Sequence, residues 1–156
     1  MKFWQKAALC VVSIILLGSL GAFFTMSSLK DWYSSLVKPP GVPPNEVFGP
    51  VWMVLYAMMG FSLALLWHRA PRGQAKRNAL RFFAIQLILN LVWTPVFFGA
   101  HLLGPALAVI ALLWVTILLT IRKFQPLDRT AARLLIPYLI WVSYATYLNA
   151  GYFYLN

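Results

Sequence analysis

The chain has 156 residues, of which 62% are hydrophobic and only 10% charged, with 13 Lys and Arg against three acidic residues. Soluble domains are about 45–50% apolar and about 25% charged, which excludes an ordinary soluble enzyme. A nucleic-acid binder is excluded because the cations do not gather on one helix or face. At about 20 apolar residues per crossing, residues 1–156 are expected to form a single transmembrane domain of five helices, with no room for a soluble one.

Five apolar segments stand out, at about 7–27, 48–67, 82–101, 104–121 and 134–154. None alternates with a period of two, so each is expected to satisfy its backbone as a helix rather than as a barrel strand. The first follows Lys2 and Lys6. Its Ser19-Leu20-Gly21 passes as a cleavage site, but its apolar run exceeds the 7–15 residues of a signal-peptide core and further spans follow, so a retained helix is expected. Gly18 and Ala22, one turn apart, permit close approach by another helix, within one copy or across a dimer. Cys10 is the only cysteine, which leaves neither a disulfide framework nor a thiol pair for metal.

The stretch WYSSLVKPPGVPP, residues 32–44, comes next. Pro39, Pro40, Pro43 and Pro44 each fix φ near −65° and push the preceding residue to extended geometry. Such a segment loses little entropy on ordering and suits a stiff lid. Trp32 and Tyr33 supply flat surface and Lys38 a cation at the rim, a combination that fits a flat apolar molecule with a carboxylate at its edge.

Trp52, Tyr56 and Met59 make an aromatic stripe on the second segment. In the third, Gln86, Asn90, Trp93 and Phe97 share one helical face. Carboxamides are costly against lipid, so this face is expected to point inward, either to make an interhelical hydrogen bond of about 1 kcal/mol or to line a ligand pocket. On the fifth, Tyr138, Trp141, Ala145, Leu148 and Tyr152 form a stripe that is aromatic at both ends and small in the middle, which leaves a recess. Trp67 and Tyr154 read as interfacial belt residues, whereas Trp141 lies too deep in its helix for that.

Eleven cations fall on one side of this arrangement, in the N-terminus (Lys2, Lys6) and in the connections holding Arg69, Arg72, Lys76, Arg77 and Arg81, and Arg122, Lys123, Arg129 and Arg133. The other side has Lys30 and Lys38. The excess predicts a cytoplasmic N-terminus, with the proline-rich loop and the C-terminus outside. Asp31, Glu46 and Asp128 all lie in connections, so no carboxylate pair is available within the membrane for acid–base work. His68 and His101 fall on opposite sides, and no metal site is expected; His101 reads as a loop residue, with axial haem ligation as the alternative. The odd span count and absence of repeats speak against a transporter built from inverted halves.

In order along the chain, W-Y-x-x-L-x-K-P followed by P-P, then FGPVWMVLY, QLILNLVW with FFGA, and AARLLIPYLIW with ATYLN resemble the TspO/MBR family, from about Trp32 to Asn149. That family includes the tryptophan-rich sensory proteins of bacteria and the mitochondrial translocator protein. The resemblance implies a five-helix bundle, often a homodimer, with a pocket beneath the first loop. Its ligands would be porphyrins (protoporphyrin IX or haem), with sterols and benzodiazepine-type drugs as further ligands and no cofactor required. It also implies light-dependent porphyrin degradation in some bacterial members, with pocket tryptophans that match Trp52 and Trp141. Further lining positions match Tyr33, Pro43, Asn90, Trp93, Ala145 and Leu148, and Lys38 joins them as the rim cation.

Two departures alter the expected ligand preference. The family's K-P-S-W reads Lys38-Pro39-Pro40-Gly41, which removes a lid aromatic, and no Lys or Arg follows Arg133 to complete the C-terminal sterol pattern. Leu29, Tyr33 and Lys38 satisfy the degenerate cholesterol pattern, a weak signal. The expected function is therefore a porphyrin-binding, receptor-like protein of a bacterial membrane, regulatory or stress-protective in tetrapyrrole metabolism. Light-dependent degradation and passive transport of porphyrin or sterol-like molecules are the alternatives.

Overall fold

A computed structural model describes residues 1–156. All regular structure is helical: α1 (Phe3–Leu29), a single turn α2 (Trp32–Ser35), α3 (Asn45–Arg69), α4 (Gln74–Thr94) running into a π-helical turn (Pro95–Gly99), α5 (Leu103–Phe124), α6 (Arg129–Leu134) and α7 (Ile136–Leu155). Four of these stretches are long and apolar enough to cross a membrane: α1, α3, α4 with its π turn, and α5. The segment expected at 134–154 is divided. Its first residues belong to the short α6, and α7 carries Asn149 and five tyrosines, whose polar atoms lower its hydropathy below that of the other four.

Local chemistry explains most helix ends. α1 starts where the Lys2 N–H donates to Gln5 Oε1 at 2.8 Å. α3 follows the Pro43-Pro44 pair and stops before Pro71; the carbonyls of Trp67 and Ala70 at its end accept from Lys76 Nζ at 2.8 and 3.0 Å, satisfying groups that a helix C-terminus leaves open. α4 begins eight residues earlier than hydropathy indicates, because its polar first turns hold together through Gln74–Asn78 and Gln74–Arg77 side-chain bonds. Pro95 lacks an N–H and its ring displaces the preceding turn, and the helix widens there: the Ala100 N–H reaches back to Pro95 O at 2.8 Å. Asp128 caps α6 by accepting from the Ala131 N–H at 2.8 Å.

Close packing of α1 on α3 depends on glycine. A Cβ on Gly60 would lie 2.4 Å from Val11 Cα, and one on Gly18 would lie 2.2 Å from the Tyr56 ring. Gly18 thus serves packing within one copy, one of the two roles its spacing allowed. α5 packs between α4 and α7, α6 lies against α3, and the Ser62 hydroxyl donates to Ala131 O at 2.7 Å. Buried Met59, Leu66, Ile117 and Phe124 fill the half of the bundle near the basic connections. The other half, although it buries Tyr33, Phe97 and Tyr152, encloses a cavity.

Candidate ligand cavity

A cavity of about 440 Å³ lies between α1, α3, α4 with its π turn, and α7, beneath α2. Each wall follows from a helical repeat. Trp52 and Tyr56 of α3 are one turn apart and stack at 5.5 Å. Trp93 and Phe97, at i and i+4, bring α4 and the π turn to the wall, and the extra residue of that turn adds Phe98 to the same side. Trp141, Ala145, Leu148 and Tyr152, spaced i, i+4, i+7 and i+11, come from α7. α1 contributes the small residues Gly18, Gly21 and Ala22, and the hollow survives because these do not fill it. The α1–α3 side is the exposed one: the wall residues Met26 and Met53 are 72% and 50% exposed.

In and behind the aromatic wall, polar side chains bind one another. The Tyr56 hydroxyl donates to Asn90 Oδ1 at 2.9 Å, and Asn90 Nδ2 donates to the Tyr138 hydroxyl at 2.9 Å. The Trp93 indole N–H donates to Asn149 Oδ1 at 3.0 Å, and Asn149 Nδ2 to Leu103 O at 2.9 Å. At the roof, the Tyr152 and Tyr33 hydroxyls hydrogen-bond to each other at 2.8 Å; burial pushes the Tyr33 phenol well above its ordinary pKa, which keeps it neutral. One polar atom of the wall has no partner: the buried Trp141 Nε1.

Of the residues expected to bind ligand, Tyr33, Trp52, Trp93, Trp141, Ala145 and Leu148 line the cavity, and Asn90, Lys38 and Pro43 do not. Asn90 sits behind the wall, 2% exposed, with its carboxamide taken up by the two tyrosines. Lys38 is exposed and Pro43 half-buried, both outside the lining. The sequence reading missed Asn45 and Glu46, which lie in the wall at the start of α3; as loop-edge polar residues they carried no periodic signal. The two histidines lie at opposite ends of the bundle, His68 5.4 Å from Phe3 and His101 stacked on Trp32 at 4.2 Å.

The proline-rich strap is fastened to α7 along its length. The Val37 N–H donates to Asn156 Oδ1 at 2.9 Å and Asn156 Nδ2 returns a bond to Val37 O at 3.1 Å. Pro39 packs where a Cβ on Gly151 would lie 2.5 Å from it. The Tyr147 hydroxyl donates to Pro40 O at 2.9 Å and the Tyr144 hydroxyl to Gly41 O. Gly41 has a φ of +83°, which glycine alone adopts without strain, and the chain turns there toward α3.

These features define an all-helical membrane protein with an aromatic-lined cavity under a strapped loop. The TspO/MBR family model matches residues 9–155, and the chain belongs to that family. It is 40% identical over 149 residues to the tryptophan-rich protein TspO of Chlorobaculum tepidum, covering 96% of this chain and 94% of the relative. It is 41% identical over 136 residues to the tryptophan-rich sensory protein of Cereibacter sphaeroides, covering 85% and 84%. It is 38% identical over 136 residues to the translocator protein of Homo sapiens, covering 84% and 80%.

Proposed function

We propose that this protein binds porphyrins, protoporphyrin IX or a haem-related tetrapyrrole, in the aromatic cavity, and that binding serves a regulatory or stress-protective role in tetrapyrrole metabolism. The observation that carries this reading is the wall itself: Trp52, Trp93 and Trp141 from three helices around about 440 Å³, within the 300–1,000 Å³ range of small-molecule sites. Flat aromatic surface gains from stacking on indole. A ligand dissolved in the bilayer enters on the exposed α1–α3 side without unfastening the strap. The membrane arrangement that goes with this reading has α7 as a fifth crossing, the basic end in the cytoplasm and the strap outside. Titration with protoporphyrin IX tests it through tryptophan fluorescence: saturable quenching is expected, and quenching that rises linearly with no plateau overturns it.

A second reading rests on Trp52 and Trp141 sharing that wall. An excited porphyrin held there with dissolved oxygen is close to two oxidisable indoles, so light-dependent degradation needs neither acid–base groups nor metal. Illumination of the complex in air should bleach the porphyrin absorption faster than free porphyrin. Equal bleaching with and without protein removes this reading while leaving the binding reading intact.

A further inference from the structure

The end of the bundle opposite the strap crowds positive charge against a single carboxylate, Asp128. Lys6 of α1 holds its Nζ 5.1 Å over the Trp67 ring of α3. Lys76 of α4 spends two of its N–H groups on the Trp67 and Ala70 carbonyls, leaving a third free. Lys6 and Arg72 are both near enough to Lys76 to repel it. Lys6 thus sits over the Trp67 indole, Lys76 caps the end of the same helix, and Arg72, in the connection between α3 and α4, lies near Lys76.

No carboxylate offsets them. Of the three acidic residues, Asp31 and Glu46 belong to the strap end, and Asp128 is engaged by Arg69 at 3.4 Å and by the start of α6. Beside the cations lies an apolar edge: Trp4, 72% exposed, packs on Phe3 at 5.0 Å, and Phe3 on Phe61 at 5.6 Å. From there the outer face of α1 continues through exposed Leu9, Val12 and Leu16. A group of like charges beside a strip of hydrocarbon matches a molecule with an anionic head and apolar chains.

We propose that Lys6, Arg72 and Lys76 form a site for the headgroup of an anionic phospholipid, with Trp67 as its platform and the acyl chains along the outer face of α1. Free phosphate has the same charge, but it would leave the apolar edge beside the cations without a partner. Each cation near an anionic lipid contributes roughly a fivefold factor, so removing two of them should weaken binding by roughly twentyfold or more.

The test uses the full chain in neutral detergent with equimolar phosphatidylglycerol and phosphatidylcholine, with bound lipids counted by native mass spectrometry. Preferential retention of phosphatidylglycerol is expected. The Lys6→Gln/Arg72→Gln variant keeps the Lys76 cap on α3 and should lose the preference, while Lys123→Gln/Arg133→Gln, which removes as much charge elsewhere on the same end, should keep it. Equal retention of the two lipids by the parent overturns the proposal. So does equal loss in both variants, which would mean a diffuse field, or displacement of the lipid by inorganic phosphate at the lipid's own concentration, which would mean a free-anion site.

Discussion

Trp141 and Asn90 divide the work of the cavity between touching a ligand and holding the wall. The Trp141 indole is in the wall, with its ring toward the cavity lining and its N–H buried. Trp141→Phe shrinks the indole to a phenyl ring and removes stacking area, so its affinity for protoporphyrin IX should fall about three- to tenfold, the worth of one aromatic contact; fluorescence titration measures it. Asn90→Ala strands the Tyr56 and Tyr138 hydroxyls in the interior, and an unsatisfied buried group costs about 1–3 kcal/mol. That variant should unfold at a markedly lower temperature in detergent yet bind protoporphyrin IX as the parent does at temperatures where both are folded; a large loss of affinity in the folded variant would put Asn90 in contact with ligand after all. The inward turn of Asn90 was legible from the 86–90–93–97 spacing, because helical periodicity dictates the face. Which of its two expected roles it plays was not, since that depends on hydroxyls arriving from α3 and α7.

The elements divide in the same way between what their own residues specify and what their neighbours supply. Proline spacing marks residues 37–44 as stiff, but stiffness does not say where a strap is tied. Its partners are Tyr144, Tyr147, Gly151 and Asn156, more than a hundred residues away. Asn156→Ala removes both bonds to Val37, and hydrogen exchange at the Val37 amide should accelerate roughly tenfold; unchanged exchange would show that the α7 tyrosines hold the strap by themselves. The α1–α3 seam is tighter than hydropathy conveys. Gly60→Ala puts a methyl group against the α1 backbone, and overpacking of this kind costs about 1–3 kcal/mol, to be read as a lower unfolding temperature. The start of α4 escaped the sequence reading for a related reason: Gln74–Arg81 is polar, and hydropathy detects membrane burial rather than helix.

At the scale of the whole molecule, cations and aromatics mark opposite ends. The basic connections of α1, α3, α4, α5 and α6 meet at one end, as the Lys6–Trp67 and Arg69–Asp128 contacts require, and the Tyr33–Tyr152 and Val37–Asn156 contacts close the other. With Cys10 replaced by serine, a cysteine at Arg72 should react with an impermeant thiol reagent only from the cytoplasmic side. Cysteines at Ser34 and Tyr154 should react only from outside. Labelling of Tyr154→Cys on the same side as Arg72→Cys would remove the fifth crossing from the proposed arrangement. The anionic-lipid site belongs at the basic end and the ligand cavity toward the strap, so loss of one should leave the other in place.

Sequence by itself determined that this chain belongs in a membrane, that its segments are helices and which faces of them turn inward. Those properties follow from composition and from periodicity within one segment, and lipid admits few alternatives for an apolar backbone. Tertiary structure decided where the hollow lies, that Asn90 stands behind its wall and Trp141 in it, and what fastens the strap. Each of these depends on a distance between residues far apart in the chain, and no local pattern of side chains carries such a distance.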